Sequence, residues 1–180
     1  HHIHSTMFQL HGKVQHYAWG GKEFIPSLLG ISNTEAKPFA EYWLGIHNLA
    51  PSTVRLSANA YTNLHDLIKS EPRRYLGDRL LHHFHDLPFL LKVLDVKDML
   101  SIQVHPSRED AQTGFDYENS LGVAPDAPNR NYRDNNHKPE MMLALSDFWL
   151  LHGFRKEEDL KSLLERVEEL SALLPIFESR

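Results

Sequence analysis

Two short stretches hold residue types that can do chemistry. Polar and apolar residues alternate through Leu100-Ser101-Ile102-Gln103-Val104-His105-Pro106, and in His137-Lys138-Pro139-Glu140 a lysine and a carboxylate stand two apart. Strand side chains point to opposite faces with period two, so Ser101, Gln103 and His105 would share one face, and Lys138 and Glu140 another. An amide, an imidazole and a carboxylate converging on one place are nitrogen and oxygen donors suited to zinc or another first-row divalent ion, with room left for a fourth ligand, water or substrate. The same residues admit a plainer arrangement. Gln103 and His105 would then bond within a solvated sheet face, and Glu140 would pair with Lys138.

The elements that must position these residues follow from periodicity. Met7 to Trp19 alternates loosely and closes on Gly20-Gly21, which predicts a strand and a turn. Glu41 to His47 is rich in aromatic and branched residues and predicts a second strand, with Ala50-Pro51-Ser52 as a loop and Val54 to Ser57 as a short third strand. Thr62 or Asn63 can cap a helix carrying Leu64, Leu67 and Ile68, and Pro72 suits the first turn of the next. That helix brings His82 and His85 to a three-residue spacing, but no further ligand stands at a recognisable distance, which favours a solvated helix end.

Pro88 to Asp95 is a continuous apolar run broken by Lys92, and predicts a strand buried on both faces. An ammonium is rarely buried unpaired, so Lys92 either snorkels from an edge or faces a polar pocket. Leu100 to His105 is expected to return as its antiparallel neighbour. Ser107 to Asn136 reads as a long polar loop of lid or site-wall character, with a short helix over Glu109 to Phe115. Two more strands are expected over Glu140 to Leu145 and Phe148 to Phe154. From Lys156 the period changes to about 3.6, with a stripe of Leu160, Leu163, Leu164, Val167, Leu170 and Leu174, acidic residues in the first turn, and an expected stop near Pro175.

Composition narrows the function. The 24 acidic and 19 basic residues give a net charge of −5, which argues against a nucleic-acid binder. There is no cysteine, so a metal must be held by nitrogen and oxygen, and a reducing, cytoplasmic location fits. No stretch approaches the roughly 20 apolar residues of a membrane span, so no membrane partner is expected. His1-His2-Ile3-His4-Ser5-Thr6 reads as the remnant of an affinity tag preceding Met7.

Taken together, Leu91-Lys92-Val93-Leu94, Gln103-Val104-His105-Pro106 and His137-Lys138-Pro139-Glu140 closely resemble type I mannose-6-phosphate isomerases, zinc enzymes of the cupin class. Tyr17-Ala18-Trp19-Gly20, Glu41-Tyr42-Trp43-Leu44-Gly45 and Gly153-Phe154-Arg155 extend the resemblance, in order and spacing, over nearly all of Met7 to Arg155. The resemblance implies a mainly β, cupin-type jelly-roll sandwich over residues 7–155, with residues 156–180 beginning a helical domain and the second cupin domain absent. It implies that Gln103, His105 and Glu140 ligate zinc, with a histidine beyond residue 180 as the fourth ligand. The implied reaction is the interconversion of mannose 6-phosphate and fructose 6-phosphate through a cis-enediol. Lys138 is the first candidate for proton transfer or enediolate stabilisation, His137 and Lys92 are second candidates, and Ser101 is a candidate contact to substrate or its phosphate.

Two other readings stand beside this one. A non-catalytic cupin module binding a metal or a sugar would use the same face without turnover. A cupin dioxygenase fits less well, because Gln103 stands where such a site would carry a histidine.

Overall fold

The computed structural model describes residues 7–179, so the tag-like residues 1–6 lie outside the described residues. These residues form two compact units, one through Asp98 and one from Met99 onward.

The first unit is built on two three-stranded antiparallel sheets. One has the order β1 (Gln9–His11), β4 (Thr53–Ser57), β5 (Ala60–Asn63), and the other the order β2 (Lys13–Gln15), β3 (Glu41–Leu44), β6 (Leu91–Leu94). The single strand expected from Met7 to Trp19 is thus two strands, divided at Gly12, and each joins a different sheet. Gly12 is required there. A Cβ at this position would run into the Trp43 carbonyl and the Tyr42 ring, and the Gly12 amide donates to the Tyr42 hydroxyl at 2.6 Å. The strand expected near Val54 acquires a hairpin partner, β5, which the weak alternation of Ala60 to Asn63 did not announce.

Helix α1 (Phe24–Leu29) places Ile25 in the core, where it is fully buried with Ala40 and Val54. Asn63 caps α2 (Leu64–Ser70), accepting the His65 amide at 2.8 Å, and Pro72 opens α3 (Pro72–Phe84), as their residue types predict. His82 and His83 are exposed with their rings in edge contact, and His85 ends α3 in the left-handed conformation. Residues 88–95 do form a strand, β6, but a short one. Leu91 is 55% exposed, so burial on both faces is not met.

The second unit is largely helix and irregular chain. Helix α4 (Arg108–Ser120) is longer than the Glu109 to Phe115 expected. Ser107 caps its start: its hydroxyl accepts the Asp110 amide at 3.1 Å and donates to the Asp110 carboxylate at 2.7 Å. The acid-led Leu stripe forms α5 (Glu157–Arg166) and then breaks at Val167, whose extended backbone diverts the chain into a 3-10 turn over Glu168–Leu173 and a short α6 (Leu174–Glu178). Pro175 therefore lies in the first turn of α6 and does not mark the end of one long helix.

The expected strands over Leu100 to His105, Glu140 to Leu145 and Phe148 to Phe154 are not formed. Only a parallel bridge joins Leu100 to Leu150, with the Leu151 amide donating to the Leu100 carbonyl at 3.0 Å. A strand needs a neighbour to take its backbone bonds, and among the described residues these stretches have none beyond that bridge. Antiparallel sheet is present as expected, but helices account for more of the described chain than strands do, so the mainly β expectation is met in part.

Candidate functional site

Lys92 is the one candidate in the first unit. On β6 it stands opposite Trp43 of β3, and Glu41 lies two residues before Trp43 on the same face. Its ammonium lies 5.0 Å from the Trp43 ring centre and 3.8 Å from Glu41 Oε2, which also accepts the Trp43 indole N–H at 2.5 Å. The His47 ring packs on Trp43 with centroids 4.7 Å apart. The structure joins the two placements open to Lys92: β6 is the edge strand of its sheet, and the half-buried ammonium lies over an aromatic ring beside a carboxylate whose side chain is 11% exposed. Neither Glu41 nor Trp43 was singled out from sequence. The available signal was their spacing of two in a predicted strand.

All the other candidates lie in the second unit, and one of them, His137, meets α4 directly. The chain from Arg130 to His137 has no regular structure of its own and runs antiparallel along one face of this helix. Arg108 Nη2 meets His137 Nε2 at 3.2 Å, and Gln112 accepts the Asn135 side-chain amide at 2.9 Å. The Tyr132 ring lies on Gly114, where a Cβ would approach it to 2.5 Å. The guanidinium of Arg130 stands over Phe115, 5.0 Å from its centroid.

The far end of this contact is a buried polar knot. The Arg130 side chain is wholly buried and pairs with Glu118 at 3.1 Å. It donates to the carbonyls of Tyr132, Val123 and Phe115 at 2.6, 2.5 and 3.2 Å, and to Asn119 Oδ1 at 2.9 Å. Glu118 in turn accepts the Asn131 amide at 3.0 Å and the Tyr132 amide at 2.7 Å, and these backbone N–H bonds hold its carboxyl below the ordinary glutamate value. Sequence reasoning missed both residues, because it placed them in a loop. A charged pair inside a predicted loop offers no periodic signal.

At the other end, Lys138 is exposed and its ammonium is gripped by Asp134, with both carboxylate oxygens at 2.8 Å. The plainer arrangement, a Lys138–Glu140 pair, is therefore not the one adopted. Because arginine only donates, His137 Nε2 is the acceptor in this contact, which leaves Nδ1 as the ring's donor. Ser101, Gln103, His105 and Glu140 are exposed, on chain that carries no ladder bonds apart from the bridge at Leu100. Among the described residues no three His, Asp or Glu side chains are clustered closely enough to hold an ion. The donor set itself fits zinc. It offers one imidazole nitrogen and two oxygens, no thiolate, and none of the three has a competing ion pair among the described residues.

Asp95 is the other shifted carboxylate. It lines a shallow cavity of about 440 Å³ with Gly21, Lys22, Glu23, Phe24 and Lys97, and desolvation pushes its carboxyl above the usual aspartate value.

Residues 7–157 match the family described as "Phosphomannose isomerase type I, catalytic domain". The mannose-6-phosphate isomerase of Escherichia coli is 42% identical over 161 residues, covering 89% of this chain and 41% of that protein. The Candida albicans mannose-6-phosphate isomerase is 35% identical over 180 residues, covering 93% and 38%. Among solved structures, the mannose 6-phosphate isomerase of Salmonella typhimurium bound to substrate, fructose 6-phosphate, and zinc superposes with a TM-score of 0.77 at 36% identity, over 96% of this chain and 44% of that one. The chain thus spans about two fifths of the length of the curated relatives it matches. No helix among the described residues is long and apolar enough to cross a membrane. On the match over residues 7–157 and the identities to these relatives, the chain belongs to the type I phosphomannose isomerase catalytic-domain family.

Proposed function

We propose that this chain is part of an aldose-ketose isomerase that interconverts mannose 6-phosphate and fructose 6-phosphate, with zinc as its metal. The observation that carries the reading is the family match over residues 7–157, which spans Lys92, Ser101, Gln103, His105, His137, Lys138 and Glu140 together. Gln103, His105 and Glu140 would hold the ion, with a fourth donor from outside these 180 residues. Bound there, zinc would supply Lewis-acid polarisation of the sugar's carbonyl and hydroxyl oxygens.

The remaining roles fall to the chain's own groups. Moving a proton between C1 and C2 through a cis-enediol needs a proton-transfer group and cations near the developing oxyanion. Lys138 takes the first part, as an exposed amine on a segment fixed by Asp134 and α4. His137 can donate only through Nδ1 while Arg108 occupies Nε2, which makes it a hydrogen-bond donor to a substrate oxygen. Lys92, kept beside Glu41 and Trp43, supplies a fixed positive charge, and Ser101 a hydroxyl for the sugar or its phosphate.

In this reading the two sheets belong to a cupin-type sandwich over residues 7–155. The helices from residue 156 begin a helical domain, and the protein works in the cytoplasm on a small sugar phosphate. The alternative is a non-catalytic module that binds a metal or a sugar through the same face without turnover. The deciding experiment is sugar-phosphate isomerisation and metal analysis on the full-length polypeptide beside residues 7–179. An active, zinc-containing parent that loses activity on Gln103→Ala or Glu140→Ala supports the assignment, and a fully active, metal-free parent overturns it.

A further inference from the structure

The geometry points to Arg130 and Glu118 as positioning residues for His137, acting through helix α4; this inference rests on the isomerase reading for its kinetic consequence only. Neither residue is near the reacting groups in sequence, yet each is built into the face that delivers them. The chain from Arg130 to His137 has no ladder and no helix to fix its path. What fixes it is a series of attachments to α4, and the strongest are at the Arg130 end.

The chemistry of that end is selective. Glu118 is buried and receives only donors, the Asn131 amide and side-chain N–H at Oε1 and the Tyr132 amide at Oε2, with the Arg130 guanidinium paired to it at 3.1 Å. Arg130 in turn spends its fork on four oxygens from four residues, on α4 and on the loop that follows it. A lysine could not span them, having no planar fork. A glutamine at 118 would turn an N–H₂ toward donors whichever way its amide lay. Both amides that start the 131–137 segment are thereby tied to one carboxylate, so the segment leaves the knot in a single register.

That register decides where the imidazole arrives. Gln112 and Arg108 lie further toward the start of α4 and meet Asn135 and His137 in order. Slippage at Glu118 would carry His137 away from Arg108 Nη2, and with it the constraint that Nε2 accepts and Nδ1 bears the proton. The knot is then a remote determinant of which nitrogen of His137 faces the substrate, a geometric effect of the kind that can cost about a hundredfold in rate for a displacement near 1 Å.

The test is made on the full-length protein with Glu118→Gln and Arg130→Lys, reading nitrogen-proton correlations of His137 and the steady-state constants together. The expected result is a wild-type His137 whose Nε2 accepts and whose Nδ1 bears the proton. Both variants should lose that single tautomer and show kcat lowered about tenfold or more, with KM within about threefold. Should a variant fail to fold, Asn131→Ala, which removes one bond to Glu118, is expected to shift the same His137 signals by a smaller amount. Unchanged His137 signals in every folded variant overturn the inference, as does a wild-type His137 protonated on Nε2. A parent with no isomerase activity would instead refute the reaction, while the His137 signals would still report on the knot.

Discussion

The ammonium of Lys138 lies 2.8 Å from each carboxylate oxygen of Asp134, four residues earlier in the chain, so the lysine expected to move a proton is held by an acid that is not a candidate ligand. The pair is substantially exposed, at 50% and 37%. Exposed pairs contribute little to stability, about 0.5 kcal/mol. Lys138→Ala is therefore expected to lower kcat by at least about a hundredfold while leaving the melting temperature within about 2 °C. Steady-state kinetics and calorimetry on the full-length protein check both halves, and normal turnover would remove Lys138 from the chemistry.

Metal content gives a separate check. In the full-length protein, His105→Ala and Glu140→Gln are each expected to weaken zinc affinity by about tenfold or more. Residues 7–179 alone should retain far less than one equivalent after dialysis, because Gln103, His105 and Glu140 are exposed. Elemental analysis decides, and stoichiometric zinc in the short chain would show that no outside donor is needed.

Lys92 offers a way to separate charge from packing. Glu41→Gln keeps an acceptor for the Trp43 indole but takes the negative charge from beside the ammonium. With 3.8 Å between the charges and Lys92 30% exposed, stability should change by less than about 1 kcal/mol. The catalytic efficiency should fall about tenfold if Lys92 is held in place for the reaction. An unchanged efficiency would leave Lys92 as part of the fold alone.

The core of the first unit should be sensitive at Ile25, which is fully buried although it sits on a helix of only six residues. Ile25→Ala is expected to cost about 3 kcal/mol, a midpoint drop of roughly 10 to 20 °C for a unit of this size. Urea titration followed by a probe in the first unit measures it. A loss under about 1 kcal/mol would mean that the site collapses around the deletion.

Acid should act on the two units with opposite sign. The Glu118 carboxyl is lowered in the folded state by the Asn131 and Tyr132 amides, so its contribution is complete above the unfolded value of about 4.3 and is lost as pH falls through the folded value. Asp95 is raised by desolvation, so stability in the first unit falls as pH rises from about 3.9 through the folded value. Asp95→Asn should flatten that dependence and leave the first unit more stable at pH 7. Amide exchange at Tyr132 below pH 4.5, and thermal melts between pH 4 and 7, read the two effects. A first unit whose stability rises from pH 4 to 7 would reverse the Asp95 assignment.

What was legible in the sequence is local. Asn63 as a cap and Pro72 at a helix start depend on a few adjacent residues, and the structure contains both. Lys92 in an apolar run signalled either an edge position or a polar partner, although not which residues would pair with it. The alternation of Leu100 to His105 and of Glu140 to Leu145 states which side chains share a face, but nothing about a pairing partner, and the strands expected there do not form. Val167 shows the converse: the Leu stripe ran on past a residue whose backbone breaks the helix. The Glu118–Arg130 pair, twelve residues apart on either side of a turn, could not be read from periodicity at all.

Gly12 stands between two strands that belong to different sheets, so seven consecutive residues, 9–15, provide one strand to each. Displacing this short stretch would withdraw a strand from both sheets in a single event. The first unit should accordingly open as one cooperative block in hydrogen exchange, with the amides of β1 and β2 released together despite having separate partners.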